Sequence, residues 1–214
     1  QGVSSAASDV YKRQNLNCGS TAPELLQHTV PGVRAHVGVA LDGDADRLVM
    51  IDHLGRVVDG DQLLYVLATA RHAVGELKGP VVGTVMSNLG LEHALTAQGI
   101  GFKRAKVGDR YVLELLRQTG GVLGGETSGH LLCLDRTTTG DAIISALQVL
   151  AVMQQTGKSL AELAAPMPKY PQVMQNVRVA QKINTDQSEL IQAAVRNAEV
   201  RLAGNGRVVL RASG

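Results

Sequence analysis

Short apolar runs alternate with longer amphipathic segments along most of this 214-residue chain. The runs VGVAL (37–41), LVMID (48–52) and VVGTVM (81–86) have the length of buried strands, whereas QLLYVLATARHAV repeats Leu and Val at helical spacing. Strands that alternate with helices of this length predict βαβ units and a mostly parallel sheet covered on both faces. The expected fold class is therefore α/β, with mixed, mostly parallel sheets between helices.

Polar residues at the predicted helix ends support this alternation. Asp59 or Asp61 is expected to cap the helix that contains QLLYVLATARHAV. The longest helix is expected after TTTGD (137–141), opened by a Thr or Asp cap and closed by Gly157.

A proline-rich segment divides the chain. APMPKYPQ contains three prolines and predicts a linker or domain boundary. Beyond it, VMQNVRVA, DQSELIQAAVRNAEVRL and GRVVLR predict strand, helix and strand, the start of an α+β domain.

The two ends of the chain differ from its middle. The first 14 residues, QGVSSAASDVYKRQ, have no hydrophobic period and resemble a translated cloning or sequencing adaptor, so they predict no native fold. The last segment, GRVVLRASG, stops just after a strand-like run, where a turn should continue. We therefore expect the sequence to be a fragment.

The composition limits the kinds of partner and the cellular compartment that this chain is expected to have. The 21 Lys and Arg residues nearly balance the 19 Asp and Glu residues, which indicates neither a nucleic-acid nor a membrane partner. No apolar run approaches the roughly 20 residues of a spanning helix. Two cysteines far apart in the sequence, Cys18 and Cys133, do not make a disulfide framework or a metal knuckle. Both are expected to be buried thiols in a reducing compartment, which favours the cytoplasm.

Three carboxylates alternate in DGDADR, at Asp42, Asp44 and Asp46. A divalent cation between them would turn their mutual repulsion into coordination. An EF-hand is excluded, because Arg47 and His53 stand where that loop requires glycine and glutamate. The pattern favours Mg²⁺ with a phosphate near Arg47, and its alternative is a solvated acidic turn between two strands.

The second candidate is GGETSGH, residues 124–130. Its glycines allow the backbone to approach a ligand closely, and Glu126 and Ser128 have the groups to bind sugar hydroxyls. His130 is able to donate to a phosphate or move a proton. The equally good alternative is a glycine-rich hairpin with a capping glutamate.

The third candidate is KVGDRY, which places Lys106 and Arg110 around a loop before a helix N-terminus, a natural anion site. The local pattern slightly favours the alternative, an ordinary loop in which Asp109 caps the helix. The terminal RASG has the ingredients of a phosphate loop but is too short to assign alone.

In this order, LDGDADR, VDGDQ, GTVMSNLGLE, AKVGDRYV, GGETSGH, LDRTTTGDAI and RASG closely resemble the α-D-phosphohexomutase superfamily. The resemblance covers nearly the whole chain after residue 15. AKVGDRYV and LDRTTTGD favour the members that act on glucosamine phosphates over phosphomannomutase/phosphoglucomutase. The resemblance implies an enzyme that interconverts glucosamine 6-phosphate and glucosamine 1-phosphate through a phosphoserine and a bisphosphorylated sugar. It also implies Mg²⁺ as cofactor.

The resemblance also implies a domain division. The expected parts are an adaptor-like segment at 1–14, the end of domain 2 at 15–58, domain 3 at 59–165, a linker at 166–171, and the start of domain 4 at 172–214.

Carried over by motif, the resemblance implies roles for single residues. Asp42, Asp44 and Asp46 resemble the Mg²⁺ ligands. Arg47, Lys106 and His130 resemble catalytic or phosphate contacts. The residues that resemble substrate contacts are Glu126 and Ser128 for the sugar and Arg211, Ser213 and Gly214 for the phosphate that is not transferred.

The family's phosphoserine and its usual acid/base residues belong to domain 1, and no matching motif occurs in this sequence. The chain alone is therefore expected to be inactive. A phosphomannomutase/phosphoglucomutase and a non-catalytic binding module for Mg²⁺ and sugar phosphate stay open as alternatives. The expected partner is a phosphosugar, and a homo-oligomer is left open.

Overall fold

The computed structural model of the protein describes residues 18–178 and 187–210. Its strands are β1 Val37–Leu41, β2 Leu48–Asp52, β3 Val57–Val58, β4 Val81–Thr84, β5 Phe102–Ala105, β6 Leu123–Gly125 and β7 Leu131–Cys133. Its helices are α1 Glu24–Gly32, α2 Gly60–Ala73, α3 Leu89–Thr96, α4 Asp109–Thr119, α5 Ala142–Thr156, α6 Leu160–Ala164 and α7 Glu189–Leu202, and a short 3-10 turn covers Gly19–Thr21.

The chain divides into two compact units, Gln1–Pro168 and Lys169–Gly214. The division falls inside the segment 166–171 that the prolines mark as a linker. All strands of the described residues lie in the first unit.

The first sheet has the order β1-β2-β3 and is antiparallel throughout. Its register pairs Leu41 with Leu48 and Val37 with Asp52. DGDADR is therefore the connection of a hairpin, and the two strands bring its ends together.

The second sheet has the order β5-β4-β6-β7. The pairs β4–β5 and β4–β6 are parallel, and β6–β7 is antiparallel. The antiparallel pair follows from the short connection of residues 126–130, because a parallel crossover needs a dozen or more residues. The expected α/β class with mixed sheets is confirmed, and its parallel pairs lie in the second sheet.

Alternating residues of the second sheet pack on opposite faces, so helices cover both sides. Val81 and Leu123 belong to a large cluster with α2 and α5, whereas Val82 packs with Val112 and Leu116 of α4. The large cluster also contains buried residues of β2, namely Leu48 and Met50. The two sheets of the first unit therefore share one core.

Side-chain caps begin several helices. The Asp59 side chain accepts from the Gln62 N–H, and Gln62 reaches back in a capping box, so Asp59 and not Asp61 caps α2. Asp141 caps α5, and the left-handed Gly157 ends it, as predicted.

Three expectations are wrong. Gly108, not Asp109, is the N-cap of α4, and Asp109 lies in its first turn without a capping role. Cys133 is buried, but Cys18 is exposed next to the 3-10 turn. No strand forms at 173–178 or 206–210; the remaining residues of those two predicted strands lie outside the described residues. A strand needs a partner, and the second unit offers none among its described residues.

Within residues 18–178 and 187–210, no helix combines the length and apolar character needed to cross a membrane.

Candidate functional site

The acidic loop, residues 42–47, is folded back on itself. Asp42 Oδ1 accepts hydrogen bonds from the backbone N–H groups of Asp46 and Arg47, each at 3.1 Å. Ala45 takes a positive φ of 56°, which completes the tight turn. As a result, one carboxylate oxygen from each of Asp42, Asp44 and Asp46 lies within 4.8 Å of the others.

The close carboxylates of this loop shift one another's pKa values. Burial and the neighbouring Asp42 carboxylate raise the pKa of Asp46. Burial also acts to raise the pKa of Asp42, but hydrogen bonds from the Arg47 backbone and Asp46, with the Arg47 charge, lower it overall. Arg47 Nε lies 3.7 Å from Asp42 Oδ2 and 3.8 Å from Asp46 Oδ1, while half of its side chain stays exposed.

The glycine-rich loop, residues 124–130, lies directly against the acidic loop. His130 Nδ1 is 3.1 Å from Asp46 Oδ2, and Arg47 and His130 form an antiparallel bridge. The Leu48 N–H donates to the Gly129 carbonyl at 3.0 Å. Gly129 has a φ of 96°, and a Cβ there would lie 2.1 Å from the Leu48 carbonyl oxygen, so only glycine fits.

The start of α5 closes the site from another side. A Cβ on Gly140 would lie 2.2 Å from His130 Nε2, so the chain before α5 packs on the imidazole ring. The Ala142 N–H donates to the Ala45 carbonyl at 3.0 Å and ties α5 to the acidic loop. The sequence predicted no site role for Gly140 or Ala142. A glycine directly before the helix-capping Asp141 was the one sequence signal that could have indicated close packing here.

KVGDRY joins the glycine-rich loop through Glu126. Glu126 Oε1 accepts from the Gly108 N–H at 2.9 Å, and the left-handed φ of Gly108, 124°, allows this approach. Lys106 is exposed, with its Nζ 6.0 Å from the centre of the Tyr111 ring. Ser128 is exposed at the tip of the loop.

The described residues therefore bring three of the predicted motifs into one connected set of loops. Arg211, Ser213 and Gly214 lie outside the described residues.

The acidic loop fits a hard divalent cation. Three convergent carboxylate oxygens are the ligands that such ions prefer, and a cation would offset the repulsion that raises the pKa of Asp46. Arg47 would balance the remaining negative charge or bind a phosphoryl group beside the ion.

Comparison with known families identifies the class. Residues 59–170 match the phosphoglucomutase/phosphomannomutase alpha/beta/alpha domain III, and residues 174–214 match the C-terminal domain of the same family. The chain belongs to this family, which confirms the superfamily predicted from its motifs.

Curated relatives are more specific. The chain is 58% identical over 200 residues to the phosphoglucosamine mutase of Methylobacillus flagellatus, matching 94% of this chain and 44% of that protein. The identity to the phosphoglucosamine mutase of Methylococcus capsulatus is 56%, over 94% of this chain and 45% of that one. The chain thus spans less than half the length of these relatives.

Solved structures share the fold. The N-acetylphosphoglucosamine mutase of Aspergillus fumigatus, in complex with GlcNAc-6P and magnesium, superposes with a TM-score of 0.67 at 20% identity, over 87% of this chain and 45% of that one. A phosphoglucomutase/phosphomannomutase family protein from Burkholderia thailandensis gives a TM-score of 0.61 at 23% identity, over 70% and 32%.

Proposed function

We propose that this chain is part of a phosphoglucosamine mutase, an enzyme that interconverts glucosamine 6-phosphate and glucosamine 1-phosphate. In this proposal the acidic loop binds the metal and the glycine-rich loop binds the sugar. The observation that carries the proposal is the contact of the acidic and glycine-rich loops through Asp46 and His130. The 58% identity to phosphoglucosamine mutases supports the glucosamine substrate.

In this proposal Asp42, Asp44 and Asp46 hold Mg²⁺. The ion supplies positive charge for a phosphoryl group whose negative charge spreads during transfer. The hydrogen bonds to Asp42 Oδ1 hold the loop backbone in a shape that keeps the three carboxylates convergent. This preorganisation avoids a reorganisation cost at the moment of transfer.

Arg47 and Lys106 bind the phosphate groups. Arg47 combines a partly exposed guanidinium with a position beside two of the carboxylates, so it is able to reach a phosphoryl oxygen at the loop. Lys106, exposed before the first turn of α4, adds a mobile positive charge.

Glu126 and Ser128 bind the sugar hydroxyls. Glu126 uses one carboxylate oxygen on the Gly108 N–H, and the hydrogen-bonding capacity of the other is available to a hydroxyl. His130 is held by Asp46 through Nδ1, which orients its ring between the two loops. Its Nε2 is buried against Gly140, so this packing would have to open before His130 could exchange a proton with the phosphate.

Other parts of the reaction come from outside the described residues. The phosphoserine is expected from a preceding domain, and Arg211, Ser213 and Gly214 would begin the loop for the second phosphate. The boundaries 15–58, 59–165 and 172–214 are proposed as the matching domain divisions. We expect no turnover from the 214-residue chain alone. A cytoplasmic location and a homo-oligomer stay predictions.

A turnover assay tests the proposal in a chimaeric protein. Residues 15–214 are joined to the parts of the Methylobacillus flagellatus relative that lie outside the matched region. We expect Mg²⁺-dependent conversion of glucosamine 6-phosphate, and much slower conversion of glucose and mannose phosphates, followed by ³¹P NMR. The unmodified relative is the positive control, and the 214-residue chain alone is the negative control.

Two results would contradict this function. A preference for glucose or mannose phosphates would favour the phosphomannomutase/phosphoglucomutase alternative. Turnover by the purified 214-residue chain would overturn the prediction that a phosphoserine from another domain is required.

A further inference from the structure

Asp61 is a fully buried carboxylate outside the residues assigned to the reaction. It lies in the first turn of α2, between Asp59 and Gln62, the two residues that form the capping box. Its Oδ2 accepts two hydrogen bonds, from the Asn88 N–H at 2.7 Å and from the Thr127 hydroxyl at 2.8 Å. No Lys or Arg of residues 18–178 and 187–210 forms an ion pair with it.

The neighbouring Gly60 holds the same loop through its backbone. Its N–H donates to the Thr127 carbonyl at 3.2 Å. A Cβ on Gly60 would lie 2.1 Å from the Glu126 carbonyl oxygen and 2.7 Å from the Gly129 nitrogen. Thr127 is therefore fixed at its carbonyl and at its hydroxyl by two consecutive residues of α2.

Thr127 lies between the two residues proposed to bind the sugar, Glu126 and Ser128. The Gly129 N–H donates to the Glu126 carbonyl at 2.9 Å, so the tip of the loop is one tight turn. In such a turn, a shift of Thr127 would move both neighbours. Burying a carboxylate without a cationic partner costs free energy of folding. The hydrogen bonds of Asp61 go to the glycine-rich loop and to the start of α3.

We propose that Asp61 is a positioning residue, which acts through Thr127 to hold Glu126 and Ser128 in the orientation that sugar binding requires. The proposal rests on the sugar-binding function proposed for this loop. Asp61 itself does not touch the substrate, and its effect depends on the Thr127 hydroxyl.

Thr127→Val tests this link, because valine keeps the branched shape and lacks the hydroxyl. Thr127→Ser is the matched control, because it keeps the hydroxyl. We expect amide hydrogen exchange at Gly108 and Gly129 in the 214-residue chain to become about tenfold faster in Thr127→Val and to stay near wild type in Thr127→Ser. Exchange at Val82 in the core should accelerate by no more than the loss of global stability measured from the urea midpoint, because Val82 is exposed only by global unfolding.

Unchanged exchange at Gly108 and Gly129 in Thr127→Val would overturn the proposal. Thr127→Ala removes the same hydroxyl and serves if the valine variant folds poorly. In an Asp61→Ala background, Thr127→Val should add no further acceleration, because the bond is already absent. Independent, additive effects of the two substitutions would also overturn it.

Ligand titrations separate this proposal from the proposed function. We expect Thr127→Val to bind glucosamine 6-phosphate about tenfold more weakly, with Mn²⁺ affinity unchanged. Equal glucosamine 6-phosphate affinity in wild type and Thr127→Val would overturn the positioning role. A wild-type chain that binds no glucosamine 6-phosphate would count against the sugar function, and the exchange rates would still decide whether Asp61 orders the loop.

Discussion

Asp42, Asp44 and Asp46 each have a different environment within one short loop. Asp42 accepts two backbone hydrogen bonds, and Asp46 contacts His130. Asp44 is exposed and makes no hydrogen bond or ion pair with another described residue. Substitution of Asp44 therefore removes a proposed metal ligand with the least disturbance of the loop, and this makes it the most informative of the three positions.

Asp61 gives the stability of the chain a predictable pH dependence. Burial raises its pKa above the ordinary value of 3.8, although the hydrogen bonds from Asn88 and Thr127 oppose this rise. With a raised folded-state pKa, the stabilising contribution of Asp61 is fully present below its unfolded-state pKa and is lost as pH rises through the folded-state pKa.

Asp61→Asn should remove this dependence, since asparagine does not titrate and its amide oxygen still accepts both hydrogen bonds. We expect the stability of the variant relative to wild type to increase from acid to neutral pH, measured by urea unfolding across that range. Asp109→Asn, at an exposed carboxylate, is the control. A stability difference between Asp61→Asn and wild type that does not vary with pH would show that the raised pKa is absent.

At the scale of elements, the contact of α2 with the glycine-rich loop depends on Gly60. Gly60→Ala would drive a Cβ into the backbone of that loop, and we expect a loss of about 1–3 kcal/mol in the free energy of unfolding. Gly32→Ala is the matched control, because nothing lies within 4 Å of its added Cβ. Gly32→Ala should be neutral or stabilising by up to about 1 kcal/mol. Equal effects of the two substitutions, measured by urea unfolding, would contradict the close packing.

Local sequence patterns predicted the elements of the first unit well. Apolar runs marked β1, β2 and β4, and cap residues such as Asp141 marked helix starts, because both signals act over a few residues. The same reasoning failed at 173–178, since a strand requires a partner that local pattern does not supply.

The candidate site was predictable as separate motifs, but its contacts were not. Asp46 and His130 are 84 positions apart, and the shared core of the two sheets and the Arg47–His130 bridge bring them together. Spacing along the chain carries no information on such a pair. The long-range hydrogen bonds of Asp61 were missed for the same reason: the sequence indicated a helix cap, whereas Asp61 accepts from Asn88 and Thr127, which are distant in the sequence.

At the scale of the whole molecule, the shared core predicts that the two sheets of the first unit unfold together. Met50 of β2 is fully buried in the same cluster as Leu63 and Val81. Met50→Ala should cost about 2–5 kcal/mol. NMR signals from β1 and β4 should then report one coincident unfolding transition at a lower urea concentration.

The control for this prediction is Leu25→Ala, at a side chain that is 80% exposed, which should change stability by less than about 0.5 kcal/mol. Separate transitions for β1 and β4 would contradict a common core.

A Mn²⁺ titration of the ¹⁵N-labelled 214-residue chain tests the central claim most directly, because Mn²⁺ prefers the same oxygen ligands as Mg²⁺ and broadens nearby NMR signals. We predict selective broadening of amides in residues 42–47 together with Gly129, His130 and Ala142, and its loss in Asp44→Asn but not in Asp109→Asn. Broadening that is uniform, lies elsewhere, or persists in Asp44→Asn would contradict a single site built from the acidic and glycine-rich loops.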